Sequence, residues 1–517
     1  MADLPFWRRW VLWGGCAVLA SGCSGLPALD GRTASQALSP HEAAATALGR
    51  ALEEDLRRHP GLSGILTLQN ARDAFAARVL LARSAERSLD VQYYIWRQDI
   101  TGTLLFEELH AAADRGVRVR LLLDDHNTRG LDSTLAALDA HPNIEVRLFN
   151  PFPQRRLRVL GFLTDFPRVN RRMHNKSFTA DGQATILGGR NVGDEYFGAT
   201  DGVLFADLDA LAVGPVVRDV AEDFDRYWNS GSSYPLDLLV PAARAERLEA
   251  LARRASLAER EPAAARYVEA IRDSAFIRQL LERRLALEWV PARLVSDDPG
   301  KGLGLAPREA LLPHQLREII GEPRRHLELV SPYFVPTGAG VEAFAALVRE
   351  GIEVRVLTNA LEATDVALVH SGYAKRRREL LEAGVRLYEM RRSGPHSEAG
   401  KAGLFGSSAS SLHAKTFAVD EQRVFIGSFN FDPRSTNLNT ELGLVIESPR
   451  LAGQLRQLFE RTVPAVAYEV RLDEKGREYW LERDGPEAYR HHHEPGTGLL
   501  RRAAVRVLSW LPIDWLL

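Results

Sequence analysis

Cysteine is nearly absent from this chain: two occur in 517 residues, at positions 16 and 23. No disulfide framework is therefore available, and stability must come from packing. A charge excess is missing as well, with 66 Lys and Arg against 68 Asp and Glu, a formal net charge of −2. Proteins whose main partner is a nucleic acid draw much of their affinity from basic contacts to phosphate. The even balance argues against a nuclease, while leaving room for a local basic cleft. Phosphate-binding loops, dinucleotide fingerprints and zinc-ligand spacings are also lacking. At this length, two large units plus extras are expected rather than one core.

The apolar run from Trp10 to Ala20, behind Arg8 and Arg9, is too short to span a bilayer and has signal-peptide proportions. It ends in Leu19-Ala20-Ser21-Gly22-Cys23, which resembles a bacterial lipoprotein cleavage box, with the leucine four residues before the cysteine where three is usual. Residues 1–23 are thus read as a lipoprotein-type signal, and Cys23 as a lipidated residue anchoring the protein in the bacterial envelope. A plain signal peptide or an uncleaved anchor is the alternative. Residues 24–60 follow as a tether and a helix, the tether being Ser24 to Ser39, rich in Ser, Ala, Gly and Pro.

What the chain does contain is a plan used twice. Leu89 to Ile95 alternates in β-forming residues and reads as a strand; a helix over Thr103–Ala113 and a strand over Val117–Leu123 follow. Leu327 to Phe334, Val341 to Arg349 and Ile352 to Leu357 repeat the order. Strand, helix and parallel strand make a βαβ unit. The sequence therefore predicts an α/β fold of two pseudo-two-fold-related halves, each a mixed β-sheet flanked by helices. The first half is assigned to residues 61–232 and the second to 291–470. Between them, 233–290 reads as a helical linker region, and 471–517 as a C-terminal extension. Ser393 to Ser411, rich in Gly, Ser and Ala, is expected to be a lid or a plain surface loop.

Each half carries one polar motif. The first is His174-Asn175-Lys176, Asp181, then Gly188-Gly189-Arg190-Asn191; the second is His413-Ala414-Lys415, Asp420, then Gly427-Ser428-Phe429-Asn430. A lone H-x-K triplet is uninformative, but the His, Lys, Asp, Gly and Asn positions all keep one offset of 239 residues. His and Lys two apart on a strand point to the same face. Two such pairs around one pocket bring two imidazoles and two ammonium groups to a single substrate. Lys176 and Lys415 would hold the non-bridging oxygens of a phosphodiester, with Asn191, Ser428 and Asn430 donating further hydrogen bonds. One histidine would attack phosphorus to give a phosphohistidine; the other would protonate the leaving alcohol and activate the incoming one. Asp181 and Asp420 complete the motifs and are expected to brace the strand turns. A nucleophilic histidine needs an orienting carboxylate. Glu441, opening the strand 442–446, suits that role, and Asp207 is its counterpart in the first half, with Asp209 the competitor. No metal or cofactor is called for.

The doubled H-x-K-x₄-D with G-S-x-N resembles the phospholipase D superfamily. The stretches Asp90 to Trp96, Asn170 to Lys176, Gly189 to Phe197 and Asn430 to Ser435 are similar to those of bacterial cardiolipin synthases, the C type in particular, from about residue 60 to the end. That resemblance implies a metal-free phosphohistidine mechanism and phosphatidyl transfer, with phosphatidylglycerol and a second phospholipid giving cardiolipin. A phospholipid hydrolase and a secreted phosphodiesterase or nuclease are the alternatives. Gly189 departs from the superfamily, which usually has Ser there, so the halves need not be functionally equal.

Three features favour phospholipids and a membrane as partners over nucleic acid. One is the expected anchor. The second is Phe152 to Arg172, where apolar bulk mixes with six arginines, suited to anionic headgroups. The third is Leu499 to Leu517, which suits either a bilayer surface or a helix docked on the body. Ser24 after the cysteine points to the outer membrane, and the family resemblance to the inner. Asp124-Asp125-His126 is a pocket edge or an ordinary turn, and His491-His492-His493 is read as a solvated tract rather than a metal site.

Overall fold

The computed structural model describes residues 25–200, 204–243, 262–272, 277–279, 285–392 and 410–517. Cys23 with the expected signal, residues 393–409 of the expected lid, and much of the expected helical linker lie outside the described residues.

In chain order the first strands are β1 (Ser63–Leu68), β2 (Ser88–Tyr93), β3 (Arg118–Asp124), β4 (Ile144–Phe149), β5 (Ser177–Ala180), β6 (Ala184–Gly188), β7 (Leu204–Ala206), β8 (Asp209–Val213), β9 (Ser233–Pro235) and β10 (Glu288–Val290). Then come β11 (Ala292–Ser296), β12 (His326–Val330), β13 (Glu353–Asn359), β14 (Arg386–Met390), β15 (Ser410–Leu412), β16 (Lys415–Val419), β17 (Arg423–Gly427), β18 (Leu442–Ile446), β19 (Ala467–Leu472), β20 (Glu478–Asp484) and β21 (Glu487–His491). Among the described residues they form two large sheets, β10-β1-β8-β6-β5-β2-β3-β4-β9 and β11-β18-β17-β16-β12-β13-β14-β19-β20-β21. The run β1-β8-β6-β5-β2-β3-β4 of the first matches β11-β18-β17-β16-β12-β13-β14 of the second, which is the doubled mixed-sheet architecture read from the sequence.

Local chemistry explains the repeated unit. In the first half Asp99 caps the helix Ile100–Asp114 by accepting from Gly102 N, and Gly116, at φ +92°, turns the chain back into β3, parallel to β2. In the second, Thr337 caps Gly338–Arg349, Gly351 turns at φ +86°, and β13 runs parallel to β12. Helices cover both faces of these central strands, so β2 is buried along its whole length. Its polar residues are paired: Asp90 with Arg120 at 2.7 Å, and Gln92 with Ser177 at 3.1 Å.

The halves share a core. Ile65, Leu187 and Ala210 of the first sheet lie in one buried cluster with Ile426, Leu444 and Ile446 of the second. Main-chain bonds stitch the same boundary: β7 pairs with β15 in parallel, and Met173 bridges Thr440. Both ends of the described chain pack on the body. The stretch expected to be a tether lies against the first half, where Arg32 donates to the carbonyls of Asn229, Ser230 and Ser233 and Ala37 N to Asp225. The chain beyond residue 471 adds β20 and β21 to the second sheet and returns as a helix, Leu499–Ser509, on the helix Ala367–Glu382. No helix among the described residues is long and apolar enough to cross a membrane.

Candidate active site

His174 and Lys176 lead into β5, and His413 and Lys415 into β16, at the boundary where the two sheets meet. The main chain crosses there reciprocally: His174 N donates to Thr440 O at 2.9 Å, and His413 N to Ala206 O at 2.8 Å. The residue after each acceptor is a carboxylate. His174 Nδ1 therefore lies 2.8 Å from Glu441 Oε2, and His413 Nδ1 lies 2.6 Å from Asp207 Oδ2. Asp207 and Glu441 occupy equivalent places, and each faces the histidine of the opposite half. With Nδ1–H directed at a carboxylate, each ring keeps the Nε2 lone pair for chemistry.

Both histidines are buried to 6% exposure and both lysines to 1%. Lys176 Nζ and Lys415 Nζ each donate to the carbonyl of their own motif histidine, and Lys176 Nζ lies 5.5 Å from the Tyr94 ring. Tyr94 meets His174 edge-on at 4.9 Å, and Tyr196 meets His413 likewise at 5.2 Å. Burial lowers both lysines, Lys415 to about 8 and Lys176 well below its usual range. Burial also lowers both histidines, helped by the neighbouring lysines. The two carboxylates part company. Burial lifts Glu441 to about 7 against the pull of Lys176, whereas for Asp207 the pairing with His413 overrides burial and holds it below the usual carboxylate range. Burial thus disfavours the charged form of both lysines, and an anionic phosphodiester between them would favour it.

Glu441 is held from every side. Oε2 accepts from Ser428 Oγ at 2.5 Å and Oε1 from Ser435 Oγ at 2.7 Å. Its backbone N donates to Asp297 Oδ2 at 2.9 Å, and Lys301 Nζ reaches the same oxygen at 2.8 Å and Ser435 O at 2.8 Å. Ser435 ends the stretch Asn430 to Ser435, whereas Asp297 and Lys301 carry no motif that marked them as site residues. Their one signal is the polar turn Asp297-Asp298-Pro299-Gly300-Lys301 directly after β11. Asp207 has a simpler setting. Leu208 N donates to its Oδ1 at 2.8 Å, and a Cβ on Gly189 would sit 2.1 Å from that oxygen. Asp207 occupies the space that a side chain at position 189 would need, which is why glycine stands there.

The remaining candidates have defined places. Ser428, read as a phosphate ligand, donates its hydroxyl to Glu441 and accepts from Leu442 N at 3.0 Å. Asn191 accepts from Ile95 N at 3.1 Å and donates to Tyr196 OH at 3.0 Å, while Asn430 is buried with its Oδ1 unpartnered. Asp181 accepts from the backbone N of Glu86, Arg87 and Ser88, and Asp420 from Arg324, Arg325 and His326. Both sit at positive φ, +52° and +54°. Asp209 bonds Arg78 at 2.8 Å and Arg190 N at 3.2 Å, so it belongs to a buried ion pair. Asp124 accepts from Met173 N at 2.7 Å and Asp125 pairs with Arg155 and Arg158. That turn therefore fastens the segment Phe152–Met173 just ahead of His174. His491 bonds Glu482 at 2.8 Å.

A family profile described as "Cardiolipin synthase, PLD-like domain" matches residues 80–228 and 316–463. The chain is 51% identical over 461 residues to a protein named cardiolipin synthase C from Escherichia coli K12, covering 89% of this chain and 97% of that one. It is 24% identical over 408 residues to cardiolipin synthase B of the same organism, covering 78% and 82%. The crystal structure of a phosphatidylserine synthase from Haemophilus influenzae Rd KW20 superposes with a TM-score of 0.57 at 14% identity, over 90% of this chain and 99% of that one, a likeness of fold.

Proposed function

This chain belongs to the phospholipase D-like family of cardiolipin synthases, and from that premise we propose that it transfers a phosphatidyl group between phospholipids through a phosphohistidine, with cardiolipin as the product. The observation that carries the reading is the pair of histidines in one buried site, each with a carboxylate on Nδ1 and a lysine two residues on. Half of the reaction breaks a P–O bond. The Nε2 lone pair of one histidine bonds to phosphorus of phosphatidylglycerol, and the second histidine, which enters the step as the imidazolium with a proton on Nε2 as well, gives that proton to the departing glycerol oxygen. The second histidine then takes the proton of an incoming lipid hydroxyl, whose oxygen displaces the first histidine. Lys176 and Lys415 neutralise the non-bridging oxygens throughout, and charge that grows on them is met in a site closed to water. Asn430 is the remaining donor to those oxygens, and Ser428 acts through Glu441.

Water at about 55 M competes with any dissolved alcohol, so transfer requires the acceptor to be held in place. The segment from Phe152 to Arg172 suits that task, since Asp124 and Asp125 tie its arginines to the strand end beside His174. Anchoring through Cys23 belongs to the same proposal. Replacing it with Ser should leave an unprocessed precursor that takes up no labelled fatty acid. Supplying the purified enzyme with labelled phosphatidylglycerol and phosphatidylethanolamine tests the reaction: cardiolipin is expected. Release of phosphatidic acid alone, with both lipids present, would make the protein a hydrolase.

A further inference from the structure

The helix Leu499–Ser509 faces the wrong way for a helix that merely completes the body. A surface helix normally turns its apolar stripe inward. Here Val505 is the buried position, and Leu500, Ala503, Ala504 and Val507 are exposed. At 100° per residue those four fall on one stripe opposite Val505, and Trp510 and Leu511 continue it just past the helix end. Leu500 is 89% exposed, Val507 55% and Trp510 75%. The stripe is held outward by polar ties: Arg501 donates to Thr364 O and Arg502 to Thr497 O. Arg501 and Arg506 flank it, and no acidic residue lies between Glu494 and Asp514.

A second outward apolar cluster comes from the first half. Leu157, Val159 and Leu163, in and beside the helix Arg158–Thr164, are 60%, 68% and 79% exposed, and no acidic residue lies between Glu145 and Asp165. Short relays of contacts lead from both clusters to the active site. Arg158 donates to the carbonyl of His126; the next residue, Asn127, donates to the carbonyl of Tyr94, whose ring meets His174. On the other side Thr364 precedes Asp365, which accepts from Tyr333 OH at 2.7 Å and acts on the charge of Lys415. The helix Leu499–Ser509 leads on to Asp514–Leu516. There Leu517 O accepts from Arg434 N, and Arg434 donates to Asn170, four residues before His174.

We infer that these two clusters are one docking face for an anionic lipid surface, one contribution from each half, which seats the mouth of the site against the membrane. The commitment to lipid rests on the exposed Arg156, Arg501 and Arg506 beside the clusters, on a tryptophan at the edge of the stripe, and on the proposed phospholipid substrate. Apolar side chains enter the outer layer of the bilayer while the arginines meet headgroup phosphates, so lipid reaches the histidines without crossing water.

Leu500→Glu with Val507→Glu tests this on the full chain, because neither side chain packs in the core. With vesicles of phosphatidylglycerol and phosphatidylethanolamine, we expect at least 10-fold weaker co-sedimentation and a similar loss of turnover. Turnover of monomeric dihexanoyl-phosphatidylglycerol should stay within about 2-fold. Unchanged vesicle binding overturns the docking face, and so does equal loss on the monomeric lipid. A dimer that the substitutions dissociate, with vesicle binding intact, would assign the stripe to a second copy instead. Absence of turnover on any lipid by the unaltered enzyme would defeat the proposed reaction, while co-sedimentation would still decide the face.

Discussion

At the scale of single residues, the site shows two solutions to one problem, the orientation of a buried imidazole. Glu441 is long and needs two serine hydroxyls and the Asp297–Lys301 pair around it; Asp207 is short and needs an empty position at Gly189. The superfamily's usual serine should therefore be harmful in this chain. Gly189→Ser places a Cβ inside the contact distance of Asp207, and overpacking of this kind costs about 1–3 kcal/mol. Turnover should drop at least 10-fold, with the loss seen by steady-state assay alongside a denaturant curve. A gain in turnover would mean that Asp207 has another position open to it.

The lysines supply a pH prediction. Burial brings Lys415 to about 8, so in the free enzyme its charge is lost as pH rises through that value. Since kcat/KM reports groups of the free enzyme, it should fall above about pH 8. Bound phosphodiester favours the protonated lysine, so the alkaline limb of kcat should lie higher than that of kcat/KM. A limb that stays flat to pH 10 in both would contradict the role given to Lys415. The lysines and histidines were legible in the sequence because the motif recurs in both halves at one offset of 239 residues. Asp297 and Lys301 were not, since their importance comes from a turn that approaches Glu441 only in three dimensions.

At the scale of elements, the repeated aspartates are tied to the backbone of a neighbouring strand. Asp181 and Asp420 each close a tight turn between two antiparallel strands and gather three N–H groups from the chain entering the neighbouring antiparallel strand, β2 or β12. Hydrogen bonds to a charged acceptor contribute about 1.5–3 kcal/mol each. Asp181→Ala should thus cost at least about 3 kcal/mol in urea unfolding, and Asp420→Ala less, because Asp181 is wholly buried and Asp420 is not. Equal and negligible losses would show that the turns hold themselves. Their bracing role could be read from the sequence, as could the βαβ order. The orientation of the helix Leu499–Ser509 could not: its amphipathic pattern is the same whether the apolar stripe faces the body or faces away. Nor could the attachment of β19 to β21, whose pairing depends on an edge left open at β14.

At the scale of the whole molecule, the halves are interdependent, since the carboxylate of each serves the histidine of the other. A sequence alignment of the halves identifies Asp207 with Glu441 but carries no information on which histidine either one meets. That pairing is fixed by the reciprocal backbone bonds from His174 to Thr440 and from His413 to Ala206. Double-mutant cycles make it measurable. Glu441→Gln combined with His174→Ala should cost little more than His174→Ala alone, whereas Asp207→Asn combined with Glu441→Gln should lose more than either single change. Full additivity between Glu441 and His174 would contradict the crossed arrangement.

The central claim, transfer through one of two histidines, is tested most directly by trapping the intermediate. The enzyme is mixed with labelled phosphatidylglycerol, a sample is quenched under alkaline conditions, and the adduct is located by peptide mass spectrometry before and after addition of unlabelled acceptor lipid. The account predicts a phosphatidyl group on His174 or His413 that passes into cardiolipin when acceptor is added. A label on any other residue, or one that passes only to water as phosphatidic acid, would contradict it.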